Sequence, residues 1–210
     1  MVQFSVSTQM IKLFLSTYAS VLVESSRVVR NGSVLIYPTD TIYGIGGDAT
    51  NVSVVEKVYS IKERERGKPL LVLMNSLQMV ERFVDEISPA ARELVKKYWP
   101  GPVTFIFRAN KNFPKELTAG TGTIGIRIPR HEFCSDLIAA AGVPIISTSA
   151  NLSGIAGGEK IKNIIEEFNG KVELIVDDGD AESQIPSTVV DVTGEKPHVV
   201  RAGAVEIEFD

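Results

Sequence analysis

Cysteine and histidine are nearly missing from this sequence. Its 210 residues include one cysteine, Cys134, so no disulfide can form within the chain. That economy fits a reducing, intracellular and specifically cytoplasmic setting. The two histidines, His131 and His198, have no cysteine or acidic neighbours at metal-ligand spacing. There is no G-x-x-x-x-G-K-[ST] loop to cradle phosphates and no G-x-S-x-G nucleophile elbow. Long apolar runs are missing too. The longest early one, Leu13 to Val23, is interrupted by Ser16, Thr17, Tyr18 and Ser20 and is too short to span a membrane. Only Lys12 precedes it, which makes a poor signal peptide, so the sequons at Asn31, Asn51 and Asn151 read as chance or structural. Neither charge sign dominates. Twenty-two lysines and arginines face 26 acids, a formal charge of −4. That argues against coating nucleic acid by bulk charge and leaves room for a local basic site.

What is present is ordinary globular composition, 44% apolar and 23% charged, with no repeat or linker to divide it. Residues 1–210 read as one α/β domain in which strand-like and helix-like segments alternate. A helix over Ala19 to Arg30 stops at Asn31-Gly32. Asn51 caps a helix with Val54, Val55, Val58 and Ile61 on one face. Ser88-Pro89 opens a helix that ends before Pro100-Gly101-Pro102. Phe133, Leu137, Ile138 and Ala141 mark another, closed by Gly142, and Ile161, Ile164, Ile165 and Phe168 a further one, closed by Gly170. Strands are expected at Val34–Tyr37, Leu70–Met74, Val103–Arg108, Thr123–Ile128, Val143–Ser147, Val172–Val176, Thr188–Val192 and His198–Val200. The expected architecture is a twisted mixed parallel/antiparallel sheet with helices packed on it.

Two patterns invite over-reading. Gly44-Ile45-Gly46-Gly47-Asp48-Ala49 matches the dinucleotide fingerprint, but six residues separate the preceding strand from the first glycine, where the real motif turns at once. The run Asp177-Asp178-Gly179-Asp180 lacks calcium-loop spacing and reads as a solvated turn.

The informative segments are polar and sit at strand ends. Pro38-Thr39-Asp40-Thr41-Ile42-Tyr43-Gly44 offers hydroxyls where a buried strand stops, although a turn satisfying its own backbone would look the same. Lys62 to Lys68 holds four cations in seven residues. A helix C-terminus explains Lys62, whereas Lys68 lies past the helix, where a cation suits a polyphosphate. Arg127 sits inside an apolar strand and needs either a structural acid or an anionic ligand. Ser147 to Ser153 crowds small polar side chains at a strand's carboxyl end. Pro186-Ser187-Thr188 and Arg201-Ala202-Gly203 flank two more strands. Hydroxyls and cations without a carboxylate pair favour positioning and charge stabilisation of a phosphate-containing reactant over general acid–base or covalent chemistry.

These motifs, PTDTIYG, K-x-R-x-x-x-K-P from Lys62 to Pro69, GTIGIRIP, STSANLSG, PSTVVD and RAG, resemble in order those of the YrdC-like family of threonylcarbamoyl-AMP synthases. The match runs from about residue 10 to about residue 204. The resemblance implies a twisted mixed sheet with a concave basic cleft. It implies synthesis of threonylcarbamoyl-adenylate and pyrophosphate from L-threonine, bicarbonate and ATP, with Mg²⁺ accompanying the ATP and no protein-held metal. The product would feed N6-threonylcarbamoyladenosine formation through downstream tRNA-modifying machinery. Carried over by motif, Thr41, Arg127, Ser147 and Ser187 would bind L-threonine. Arg64, Lys68, Thr123, Ser149, Asn151 and Arg201 would bind ATP, and Lys62 and Arg64 would be catalytic. Arg64→Ala and Lys68→Ala are then both expected to lower turnover far more than stability. Many members carry a histidine shortly after the K-P-L strand start, where this chain has Leu71-Val72-Leu73. The alternative class is an RNA-binding module without adenylating activity, against which the acidic balance and the lack of exposed aromatic runs speak.

Overall fold

A computed structural model describes residues 6–151, 160–181, 183 and 185–209. The Leu152-Ser153-Gly154 end of the STSANLSG motif lies outside the described residues.

The strands are β1 (Gln9–Lys12), β2 (Leu35–Tyr37), β3 (Gly44–Gly46), β4 (Val72–Leu73), β5 (Val103–Arg108), β6 (Thr123–Arg127), β7 (Ile145–Ile146), β8 (Thr148–Ser149), β9 (Leu174–Asp177), β10 (Thr188–Asp191) and β11 (His198–Arg201). The helices are α1 (Tyr18–Arg30), α2 (Val52–Ile61), α3 (Leu77–Glu81), α4 (Pro89–Tyr98), α5 (Glu132–Ala141) and α6 (Ile161–Phe168). Helix boundaries follow local chemistry. The Asn51 side chain accepts from Ser53 N, and Ser88 accepts from Ala91 N with proline in the first turn. Gly142 closes α5 at a φ of 76°. Asp180 adds a cap from a distance: its Oδ1 accepts from Ile161 N at the start of α6, so the acidic run serves as a turn and cap.

Mixed topology holds, but the strands form two sheets instead of one. The five-stranded sheet runs β1-β9-β2-β3-β8 and the six-stranded sheet β11-β10-β5-β6-β4-β7. Their division is not local information. Val143 to Ser147 reads as one strand, yet the chain leaves the six-stranded sheet after Ile146 and joins the five-stranded sheet at Thr148. Ser147 is the crossover residue. The glycine fingerprint resolves in the same way. Gly44–Gly46 is a strand antiparallel to β2, with no phosphate turn.

One close approach seals this junction. A Cβ built on Gly46 would lie 1.8 Å from the Ile146 carbonyl oxygen. Backbone on both sides cannot give way, so Gly46→Ala is expected to destabilise the protein by about 3 kcal/mol. Chemical denaturation measures this, and a loss under about 0.5 kcal/mol, the range of ordinary surface changes, would show that the strands do not meet as described.

Pairing directions place the functional segments. β5 is antiparallel to β6 and parallel to β10, while β10 is antiparallel to β11 and β6 parallel to β4. The starts of β5 and β10 and the ends of β4, β6 and β11 therefore share one edge of the sheet. Leu73, Thr104, Arg127, Ser187 and Arg201 all stand at those ends. The register pairing Phe105 with Ile126 sets Thr104 across from Arg127.

Candidate active site

A cleft of about 370 Å³ opens at that shared edge. The six-stranded sheet contributes Leu73, Thr104, Arg127, Ser187 and Arg201, and the five-stranded side contributes Thr41 to Gly44, Thr148, Ser149 and Asn151. Leu71, Pro186, Arg64 and the crossover Ser147 complete the wall. Among the described lining residues there are three guanidiniums and no carboxylate. The wall is thus built to receive negative charge.

Arg127 is the most enclosed of the three. Its guanidinium pairs with Asp40, the two side chains being 7% and 10% exposed. Asp40 also accepts from the Arg130 backbone N–H at 3.0 Å, so the acid is held from two sides. The buried arginine thus has a structural acid and also faces the cleft, where an anion can reach it.

Arg201 donates to the Ser187 carbonyl at 2.7 Å. Burial, followed by the neighbouring positive charge of Arg127, lowers its pKa from the ordinary arginine value. Arg64 donates to the carbonyls of Lys68 and Pro69, at 3.2 and 3.0 Å, folding its own loop around itself. Burial is the main cause of its lowered pKa. An anion entering this space meets the buried Arg127, the half-buried Arg64 and the more exposed Arg201, each able to give a charge-assisted hydrogen bond.

The hydroxyls are ordered by one another. Ser187 Oγ lies 2.8 Å from Thr104 Oγ1, and Ser149 Oγ donates to Asn151 Oδ1. Thr39 Oγ1 sits 3.1 Å from Thr41 Oγ1 and receives the Thr41 backbone N–H. Tyr43, also on the wall, is anchored through its hydroxyl. Its hydroxyl donates to Gly179 O at 2.7 Å and accepts from Asp178 N, which ties the wall to the acidic turn. The close packing of Gly203 in the RAG segment, where a Cβ would come within 2.5 Å of the Ser187 backbone, brings that segment against β10.

Of the residues singled out from sequence, Thr41, Arg64, Arg127, Ser147, Ser149, Asn151, Ser187 and Arg201 converge on the cleft. Lys62, Lys68 and Thr123 do not line it. Lys68 is exposed and paired with Glu65 at 2.8 Å. Thr123 begins β6, four residues and about 13 Å of strand from Arg127, and its hydroxyl lies 3.1 Å from that of Thr121. Lys62 caps the end of α2 and is 1% exposed. Burial, then the charge of Arg64, pushes its ammonium down to about 8. Neither histidine is on the wall: His131 precedes α5 and His198 opens β11. Sequence reasoning missed Thr104, and the available signal was a buried threonine within the otherwise apolar start of β5.

Comparisons with known proteins show the family to which the chain belongs. A family model described as "Telomere recombination", the Sua5/YciO/YrdC family, matches residues 27–203. The chain is 33% identical over 180 residues to the threonylcarbamoyl-AMP synthase of Pyrococcus abyssi, covering 86% of this chain and 53% of that protein. It is 32% identical over 195 residues to the Bacillus subtilis threonylcarbamoyl-AMP synthase, covering 92% of this chain and 56% of that protein. The crystal structure of Pyrococcus abyssi Sua5 complexed with L-threonine superposes with a TM-score of 0.89 at 31% identity, over 93% of this chain and 58% of that one. The chain thus spans just over half the length of these relatives. Among the described residues, no helix is long and apolar enough to cross a membrane.

Proposed function

Because this chain belongs to the Sua5/YciO/YrdC family, we propose that it makes threonylcarbamoyl-AMP and pyrophosphate from L-threonine, bicarbonate and ATP. One observation carries the reading: Arg64, Arg127 and Arg201 share a single cleft with six serine and threonine side chains and no carboxylate among the described residues.

Arg127, with Thr41, Ser147 and Ser187 around it, takes L-threonine, the ligand present in the Pyrococcus abyssi structure. The guanidinium meets the amino-acid carboxylate, a charge-assisted contact. Arg64 and Arg201 take the phosphates, and Ser149 and Asn151 the adenylate side. The threonine amine adds to carbon dioxide with release of a proton, or to bicarbonate with loss of water, and forms a carbamate. A carbamate oxygen then attacks the ATP α-phosphorus, and the bond to the β-phosphate's bridging oxygen breaks to release pyrophosphate. Negative charge on the phosphoryl oxygens is stabilised by guanidiniums already in place. Mg²⁺ would enter as a companion of ATP, since the described lining residues supply hydroxyls and an amide but no carboxylate to hold it. The product would pass to the machinery that modifies tRNA, in the cytoplasm.

Pyrophosphate release from Mg·ATP, measured with and without L-threonine and bicarbonate, tests the reading. Release requiring both co-substrates, with a threonylcarbamoyl-AMP mass, is expected. A salt-sensitive tRNA shift without ATP binding or turnover would replace it with the RNA-binding alternative.

A further inference from the structure

Lys62 stands beside the cleft without lining it, yet it is among the most completely buried side chains of the protein, at 1% exposed. Its ammonium donates to three acceptors: Ser149 O, Asn151 O and, at 3.1 Å, Asn151 Oδ1. A lysine ammonium has three donors and accepts nothing. All three therefore go to one turn, Ser149 to Asn151, which lies 87 to 89 residues away in sequence. Because the ammonium can only donate, the atom of the Asn151 amide facing it must be the oxygen. Ser149 Oγ donates to that same oxygen. The lysine thus fixes both the backbone of the turn and the orientation of the Asn151 amide. Ser149 and Asn151 are cleft-wall residues, as is Arg64 two positions after Lys62.

An ammonium buried this deeply is costly unless it is fully hydrogen-bonded. Helix-dipole complementarity alone would leave it at the end of α2 and in solvent. Instead it spans from the α2 C-terminus to the end of β8. A phosphate could gain this cation only by taking it from the turn that forms the wall.

We propose that Lys62 is a positioning residue that holds the Ser149–Asn151 turn, and with it the nucleotide side of the cleft, without touching substrate. The synthase reading supplies the ligand named here, and the geometry supplies the role.

Two variants separate this from direct phosphate contact. Lys62→Met keeps the stem and removes every donor, while Lys62→Gln keeps two. Calorimetric titration with Mg·ATP and with adenosine is the first readout. A positioning role lowers both affinities by a common factor of about tenfold, with partial recovery in Lys62→Gln. Arg64→Met, in contrast, should weaken ATP and spare adenosine. Hydrogen–deuterium exchange over residues 148–151 is the second readout, and it should quicken in Lys62→Met. The proposal is overturned if Lys62→Met loses ATP affinity alone, or if exchange over 148–151 stays as in the wild type. Should Lys62→Met fail to fold, Lys62→Gln carries both comparisons. Should the wild type bind neither nucleotide, the synthase reading fails separately, and the exchange result alone decides whether Lys62 holds the turn.

Discussion

Replacing Arg127 with methionine is expected to abolish threonine-dependent pyrophosphate release and to lower stability by about 3–5 kcal/mol. Two separate consequences are combined in that result. The first is chemical: the cleft loses the guanidinium best enclosed to meet a carboxylate. The second is structural: Asp40, 10% exposed, is left as a buried charge whose remaining described partner is the Arg130 backbone N–H. Adding Asp40→Asn should separate them. An amide keeps an acceptor for Arg130 N and carries no charge, so the double variant should recover most of the lost stability. It should recover none of the activity, because the cation is still missing. Denaturation and pyrophosphate release, measured on the two single variants and the double, form the test. A double variant as unstable as Arg127→Met would show that the buried charge is not the cost. Substantial turnover in either Arg127 variant would remove this arginine from the site.

The same pair shows which parts of the site could be read from sequence. An arginine inside Thr123–Arg127, among isoleucines and a glycine, announces that it needs a partner, because the cost of burying charge is a local fact. The partner itself, 87 residues away, is not announced. Helix ends were legible for the same reason. Asn51, Ser88 and Gly142 act on backbone groups within a few residues, and each stands where its chemistry predicts. Strand pairing is a long-range choice. β1 and β8 are four and two residues long, and partners more than a hundred residues away along the chain make them strands. Hence the single expected sheet is two, and the glycine-rich stretch after Tyr43 is a strand of the first. Family motifs located the segments that reach the cleft but did not sort side chains within a segment. In the K-x-R-x-x-x-K-P stretch they pick out Lys62, Arg64 and Lys68 alike, and only Arg64 reaches the wall.

That sorting yields the second large effect. Arg64→Ala should cut pyrophosphate release by roughly a hundred- to a thousandfold, the usual cost of losing one positioned donor to developing charge. Lys68→Ala should change it by less than about tenfold, since an exposed, ion-paired lysine contributes little at a distance through water. The motif alone predicts two comparable losses. The geometry predicts two unequal ones, because Arg64 is partly buried on the wall and Lys68 points at Glu65 in solvent. Stability should not follow activity. Arg64→Ala gives up hydrogen bonds to the Lys68 and Pro69 carbonyls at the loop, a loss of about 1 kcal/mol. A fall in activity matched by an equally large fall in stability would make Arg64 a structural clasp of its loop. Equal losses in the two variants would mean that the loop closes over ATP and brings Lys68 inward, in which case the arrangement described here is the open form of the site.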